Sequence, residues 1–264
     1  MVVVGERINS SRKDIEPAVR ERDAEFIVRE ARDQVEAGAH VIDVNTATLM
    51  DQEAESLKWA VQLIEDSLSV AICIDSPNPM AVTEVLPFCK GKAMINSITA
   101  EAERYAKLIP LIQEHKPNVV GLCMDDKGMP DTAEDRIRIA SDLIGKLTSD
   151  GVPIGDIYID PVVTPVSTDT RYGVAVLDAV EAIMKGFPGV HTICGLSNIS
   201  YGLPNRKQVN QMFLVMAMTK GLDAVILDPC DKRIMANLIT TMTLLGKDDF
   251  CMNYLTAFRE GKFD

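Results

Sequence analysis

The sequence predicts an α/β chain folded as a single (β/α)8 TIM barrel, and three observations predict it. Eight short runs of apolar, largely β-branched residues recur, at residues 2–5, 40–44, 70–75, 93–96, 119–124, 157–160, 191–196 and 224–228. Each run is continuous rather than alternating, as strands buried on both faces are. Segments with helical spacing separate the runs, which calls for parallel strands joined by right-handed crossovers. Eight such units in 264 residues match the size of a closed barrel. A doubly wound open sheet is the competing arrangement of the same elements. No linker rich in proline, glycine or serine divides the chain, so residues 1–264 read as one domain.

The elements follow in order. The first run leads to Glu6 and Asn9. A helix over residues 23–37 places Phe26, Ile27, Ala31 and Val35 on one side, with Gly38 where a helix closes. The second run delivers Asp43 and Asn45, and a helix over 52–68 follows with Leu57, Val61, Leu63, Ile64 and Leu68 on its apolar side. The third run ends in Asp75-Ser76 before a helix at 79–89, and the fourth in Asn96-Ser97 before a helix at 101–115. The fifth leads to Asp125 and Asp126. Asp131 with Glu134 then resembles a capping box opening a helix at 132–149, closed by Gly151. The sixth run ends in Asp160-Pro161, and a long connection, 162–172, precedes a helix at 174–186. The seventh leads to Ser197-Asn198 and a helix at 206–220 closed by Gly221; the eighth ends in Asp228 before a helix at 231–245.

Composition removes several functions. With 39 acidic against 27 basic side chains the formal charge is −12, the opposite of a nucleic-acid binder or a protein docked on an anionic membrane. No run approaches the ~20 apolar residues of a spanning helix, and the start, M-V-V-V-G-E-R-I-N, does not read as a signal peptide. A cytoplasmic protein is expected. Cys73, Cys89, Cys123, Cys194, Cys230 and Cys251 form no C-x-x-C pair and read as buried reduced thiols, not a structural zinc site. His40 and His191 start strands and His115 closes a helix, so all three read as structural.

Barrel active sites lie at the C-terminal ends of the strands, and here every strand delivers a carboxylate or an amide to that face. No lysine stands at a strand end, which argues against Schiff-base chemistry. No G-x-G-x-x-G or P-loop is present to hold phosphate. Two ligand chemistries remain. Asp43, Asp75 and Asp160 can hold a divalent metal. Alternatively, carboxylates and asparagines suit a heterocycle with a donor-rich edge, because a carboxylate accepts two N–H groups and an asparagine satisfies a donor and an acceptor together. Asp75, Asn96, Asp160 and Asn198 fit the second. Any one of these aspartates also serves as an ordinary cap or turn former; four such polar residues, each on a strand terminus, favour binding.

The same segments resemble a family. They are V-G-E-R-I-N at residues 4–9, I-D-V-N at 42–45, C-I-D-S at 73–76, M-I-N-S at 94–97, Y-I-D-P at 158–161, G-L-S-N-I-S at 195–200 and N-R at 205–206. In that order they resemble the methyltetrahydrofolate:corrinoid (iron–sulfur) protein methyltransferases of the pterin-binding barrel superfamily, over essentially the whole chain. They are also similar to the folate module of cobalamin-dependent methionine synthase. The resemblance implies a transferase of one-carbon metabolism. It moves the N5-methyl group between methyltetrahydrofolate and the cobalt of a corrinoid (cobalamin) carried by a separate protein. It implies Asp75, Asn96 and Asp160 as pterin ligands, with Asn198 hydrogen-bonding near N5 and supporting transfer. The resemblance implies Asn198, Asp160 and Asp75 as the catalytic set. Gly195, Ser197 and Ile226 are implied to line the pocket, Arg206 to stand near the folate tail, and Ser97 to join Asp160 in carrying a proton to N5. Glu6, Asp43 and Asn45 belong to matching segments. Tyr201 stands where the family often carries glutamine. A homodimer without a bound metal is implied. The chemistry needs a polarised N5, because a tertiary amine releases its methyl group poorly unless charge developing in the transition state is stabilised.

Three other readings compete. Dihydropteroate synthase shares the barrel and a related pterin site, but uses a lysine and a serine-x-arginine pair where this chain has Ser197-Asn198. A non-catalytic folate-binding subunit would bind without turnover. A metal-dependent hydrolase needs histidine ligands more often than this chain supplies them. Two segments stay open. Q-M-F-L-V-M-A-M at 211–218 is apolar almost all round, as a buried helix or a methionine-rich subunit interface would be. The connection 162–172 is a lid, a docking surface for the corrinoid protein, or a surface loop.

Overall fold

A computed structural model describes residues 1–263. Among them, eight parallel strands form one sheet: β1 (Val2–Asn9), β2 (Val41–Asn45), β3 (Ala71–Asp75), β4 (Met94–Thr99), β5 (Asn118–Leu122), β6 (Ile157–Asp160), β7 (His191–Thr192) and β8 (Ala224–Leu227). Their order is β7-β6-β5-β4-β3-β2-β1-β8, each strand beside its sequence neighbour. A bridge between Gly195 and Ile226 joins the two ends, and Ile226 N–H donates to the Cys194 carbonyl at 2.9 Å. The sheet is therefore closed as a TIM barrel, and the open-sheet alternative falls. β7 is shorter than the run that predicts it, although Ile193 N–H still reaches the Ile159 carbonyl at 2.9 Å.

The helices wrap the outside: α1 (Ile15–Arg20), α2 (Ala24–Glu36), α3 (Glu53–Ser67), α4 (Pro79–Val85), α5 (Ala102–His115), α6 (Ala133–Ser149), α7 (Arg171–Gly186), α8 (Arg206–Thr219), α9 (Lys232–Leu244) and α10 (Met252–Arg259). α1 and α10 are additions to the expected alternation. α4 stops short of residue 89 because Pro87 lacks the N–H that would continue the ladder, and a 3₁₀ turn, Leu86–Phe88, takes over.

Strand residues alternate between two cores. Val4, Val41, Cys73, Met94, Val120, Tyr158, Ile193, Ala224 and Ile226 fill the barrel interior. Residues of opposite parity, including Ile42, Ile72, Ile95, Val119 and Ile159, pack outward against helix residues such as Leu57, Ile64 and Leu143. Gly38, Gly151 and Gly221 follow their helices with φ of +110°, +87° and +110°, the left-handed closure expected of them.

Some expectations shift. The cap of α6 lies one residue along from the expected pair: Thr132 Oγ1 accepts from Asp135 N–H at 3.1 Å, while Asp131 accepts from the Tyr172 hydroxyl at 3.3 Å. Cys73, Cys123 and Cys194 are buried, but Cys89 and Cys230 are half-buried and Cys251 is exposed, so burial holds for only part of the set. The histidines do sit away from the strand C-termini. His40 Nδ1 accepts from Val3 N–H at 3.1 Å, and His191, 2.7 Å from Asp223, stacks on Tyr158. No helix among the described residues is long and apolar enough to cross a membrane.

The connection 162–172 is fastened rather than loose. Val166 N–H donates to the Ile199 carbonyl at 3.1 Å and Ser167 Oγ to the Tyr201 carbonyl at 2.6 Å. It shortens to residue 170 because α7 begins at Arg171. On α8, Phe213, Leu214, Ala217 and Met218 are buried, whereas Met212 and Met216 remain 47% and 50% exposed.

Candidate active site

The parallel sheet brings the predicted polar residues to one rim. Asp75 and Asn96 end up side by side because β3 and β4 pair in that register. Asn45, closing β2, donates from Nδ2 to Asp75 Oδ2 at 2.8 Å and accepts from Ala47 N–H through Oδ1. It aims the Asp75 carboxylate. The Asn96-Ser97 peptide is cis, and Ser97 is buried.

Asp43 sits one layer deeper on β2, buried, with Oδ1 lacking a hydrogen-bond partner among the described residues. Burial pushes its carboxyl well above the usual range and the neighbouring Asp75 pushes it further, while Cys73 and Asn96 pull it down. Asp75 is also raised, chiefly by burial, but Asn45, Asp43 and Arg104 favour its ionised form, against Glu53. Two carboxyls this close do not both ionise. Burial favours the proton on Asp43, the deeper, while the Asn45 hydrogen bond favours charge on Asp75.

Across the mouth, Asp160 ends β6. Its Oδ1 accepts from Val162 N–H at 2.8 Å, and burial lifts its pKa to about 7, opposed by the Val162 and Gly195 amides and by Arg136. Glu6, at the irregular stretch of β1, is also lifted to about 7, by burial and then by Asp228, with Arg12 and Arg206 opposing. Glu6, Ser197 and Asp228 line a cavity of about 130 Å³ with Lys207, Asn210 and Asp231.

The third wall is a 3₁₀ turn, Leu196–Ser200, that begins after Gly195. Asn198 lies exposed on this turn with its amide folded back over Gly195: a Cβ added there would stand 3.4 Å from Asn198 Nδ2. Ile226 is buried on β8 opposite Gly195. The site residues predicted from sequence therefore gather at one end of the barrel, with Asp43 beneath. Arg206 is placed differently from a free tail contact. It donates to the Ser197 carbonyl at 2.7 Å and to Ser200 Oγ at 3.1 Å, with its guanidinium 5.7 Å from the ring centre of the exposed Tyr201.

Sequence reasoning missed Glu53, Arg104 and Arg136. Glu53 accepts from Ser76 Oγ at 2.5 Å, bracing the turn after β3. Arg104 and Arg136 reach under the rim from α5 and α6. Their signal was available: both lie in the first turn of a helix, where the helix dipole disfavours a cation. Chemically, the rim offers acceptors on two sides and an amide on the third. That suits a flat heterocycle whose donor-rich edge faces Asp75 and Asp160.

The profile that describes pterin binding enzymes matches residues 5–228. The chain is 34% identical over 264 residues to the methylcorrinoid:tetrahydrofolate methyltransferase of Eubacterium limosum, a match spanning 99% of this chain and 97% of that protein. It is 31% identical over 239 residues to the methionine synthase of Mycobacterium tuberculosis, spanning 86% of this chain but 20% of that much longer protein. Among solved structures, a dihydropteroate synthase of Xanthomonas albilineans superposes with a TM-score of 0.72 over 93% of each chain. At 17% identity that likeness speaks for the fold alone.

Proposed function

The chain belongs to the pterin binding enzyme family, and from that premise we propose the reaction its rim performs. It is a methyltransferase acting between a folate and a corrinoid, the activity named for its full-length relative at 34% identity. The substrates are methyltetrahydrofolate or tetrahydrofolate and a corrinoid carried by a partner protein. The dihydropteroate synthases share the fold, but the strand-end set here carries Ser197-Asn198 in place of their lysine pattern.

The observation that carries the site assignment is the juxtaposition of Asp75, at the end of β3, and Asn96, its partner within β4, with Asp160 and the Asn198 amide across the mouth. In our reading Asp75, Asn96 and Asp160 hold the pterin edge, and Gly195, Ser197 and Ile226 wall the ring. Asn198 then donates to N5 as negative charge develops there, an interaction felt in the transition state more than in the ground state. Asp160, lifted to about 7, is poised to exchange a proton near neutrality, and we assign Ser97 to the same relay. Glu6, Asp43 and Asn45 tune and orient this set. Tyr201, 66% exposed, takes the tail side with Arg206 behind it. We further propose a cytoplasmic homodimer served by a corrinoid/iron–sulfur or related corrinoid protein.

The test is spectroscopic. The protein is mixed with methyltetrahydrofolate and reduced cobalamin, then with a panel of corrinoid proteins, and the visible spectrum is followed in both directions. Methylcobalt must appear, or disappear with tetrahydrofolate present. No transfer with any corrinoid overturns the activity. Folate binding by calorimetry without turnover would leave a binding subunit.

A further inference from the structure

The strand ends that carry the proposed pterin ligands are tied together from behind by a guanidinium that has no carboxylate partner in salt-bridge range among the described residues. Arg104, half-buried in the first turn of α5, donates from Nε and Nη2 to the Ser97 carbonyl at 3.0 and 2.6 Å, from Nη2 to the Ser76 carbonyl at 3.0 Å, and from Nη1 to the Pro77 carbonyl. The three acceptors follow Asp75 on β3 and Asn96 on β4. One planar fork thus spans the loop after β3 and the irregular stretch of β4, which a lysine cannot do.

The placement is costly. The helix dipole opposes a cation at this position, and burial opposes its charge. Carbonyls leaving a strand end otherwise lose their ladder partners, so a converging donor set offsets that loss. The same device recurs around the rim. Arg136, 0% exposed, donates to the carbonyls of Pro161, Val162 and Thr132 and to Thr164 Oγ1 behind Asp160. Arg206 holds the turn that carries Asn198. Three walls of the site each have one helix-borne arginine clamping backbone oxygens.

We propose that Arg104 is a positioning residue for the folate site: it fixes the end of β3 and the irregular stretch of β4 so that Asp75 and Asn96 meet the pterin edge together, without touching the ligand. This rests on the folate reading above. A site held within about 0.5 Å is what such supporting contacts provide, and a misplacement of about 1 Å can cost 100-fold.

The experiment measures the Kd of methyltetrahydrofolate by calorimetry from pH 5.5 to 8.5, with a thermal melt for each protein. The proteins are the unaltered chain, Arg104→Gln and Arg104→Lys. The groups facing Asp75 are Asn45 and Asp43 from β2, Cys73 on its own strand, Asn96 on β4, Glu53 from α3 and Arg104 from α5, with Glu6 of β1 acting on Asp43. Of these, Arg104 is the cation, and it favours ionised Asp75. Arg104→Gln should therefore weaken binding about tenfold or more and move the acid limb of binding to higher pH. Arg104→Lys should keep the limb in place and still bind about tenfold more weakly. A folded Arg104→Gln with unchanged Kd and limb, or a lower melting temperature as its sole effect, overturns the proposal. Should Arg104→Gln not fold, Arg104→Lys decides: binding as tight as the unaltered chain overturns it. If the unaltered chain binds no folate, the folate reading fails and the clamp with it.

Discussion

Asn198 is the residue on which transfer should depend most steeply. Its amide lies on an exposed turn with its side chain against Gly195, so removing it leaves the barrel core untouched. Asn198→Ala should slow methyl transfer by roughly 10²–10³-fold, as loss of a preorganised donor does, with a much smaller change in folate affinity. A transfer rate equal to the parent's would remove Asn198 from the mechanism. The carboxyls make a second prediction, about pH. Asp160 and Glu6 titrate near 7 in the folded chain against 3.8 and 4.5 ordinarily. Between those limits these two carboxyls hold more protons in the folded state than in the unfolded one, so their contribution lowers stability as pH rises from about 4 to about 7, against a smaller opposite effect from His40, whose pKa burial lowers. Asp169 and Glu181, lowered to about 2 by their basic partners, gain and lose their effect below this window. The ligand-free protein should therefore melt at a higher temperature at pH 5 than at pH 8. Asp160→Asn, which cannot ionise, should flatten that slope and raise the melting temperature at pH 8. A melting temperature that climbs from pH 5 to pH 8 would contradict the assignment.

The strands were the most legible elements and the loops the least. A buried strand announces itself by a continuous apolar run, and all eight runs became strands, although β7 stops at Thr192 while β1 and β4 run on to Asn9 and Thr99, which leaves Glu6 and Asn96 inside strands. α1 and α10, with six and eight residues, are too short for a periodic signal to rise above their surroundings. Polar strand ends such as Asp75, Asn96 and Asp160 were readable because strand direction alone decides which face they reach. Arg104 and Arg136 are marked in the sequence by their place in a first helical turn, but what they and Glu53 touch was not readable, because it is set by how helices lean on the rim, a long-range packing outcome. The start of α6 shows the same limit at one-residue scale. Asp131 and Thr132 are both good capping residues, and only the path of the chain after β5 selects Thr132. Thr132→Ala should therefore cost about 1 kcal/mol of stability, read as a lower melting temperature, while Asp131→Ala should cost clearly less. Equal losses would mean that both residues serve the helix start.

At the scale of the whole molecule, the proposed site puts folate and corrinoid at the strand C-termini of the barrel, and a second copy of the chain would then bind elsewhere. α8 offers such a place. Its inner side, with Phe213, Leu214, Ala217 and Met218, belongs to the core between barrel and helices, while Met212 and Met216, four residues apart, share the outer side. The sequence could not separate a buried helix from an interface over residues 211–218, because both are apolar; the structure buries one side of the segment and leaves Met212 and Met216 exposed on the other. Methionine is enriched at subunit contacts and adapts to irregular surfaces. In a homodimer built on this side, a charge placed at its centre would be buried unpaired and would disfavour association strongly. The unaltered protein should then elute with a mass twice that of its 28.9 kDa chain, and Met216→Glu should halve it. Because the rim residues lie on the strand ends and not on α8's outer side, Met216→Glu should keep its folate affinity. An unaltered protein that runs as a monomer at all concentrations would overturn the dimer, and a variant that stays dimeric would move the contact to another face.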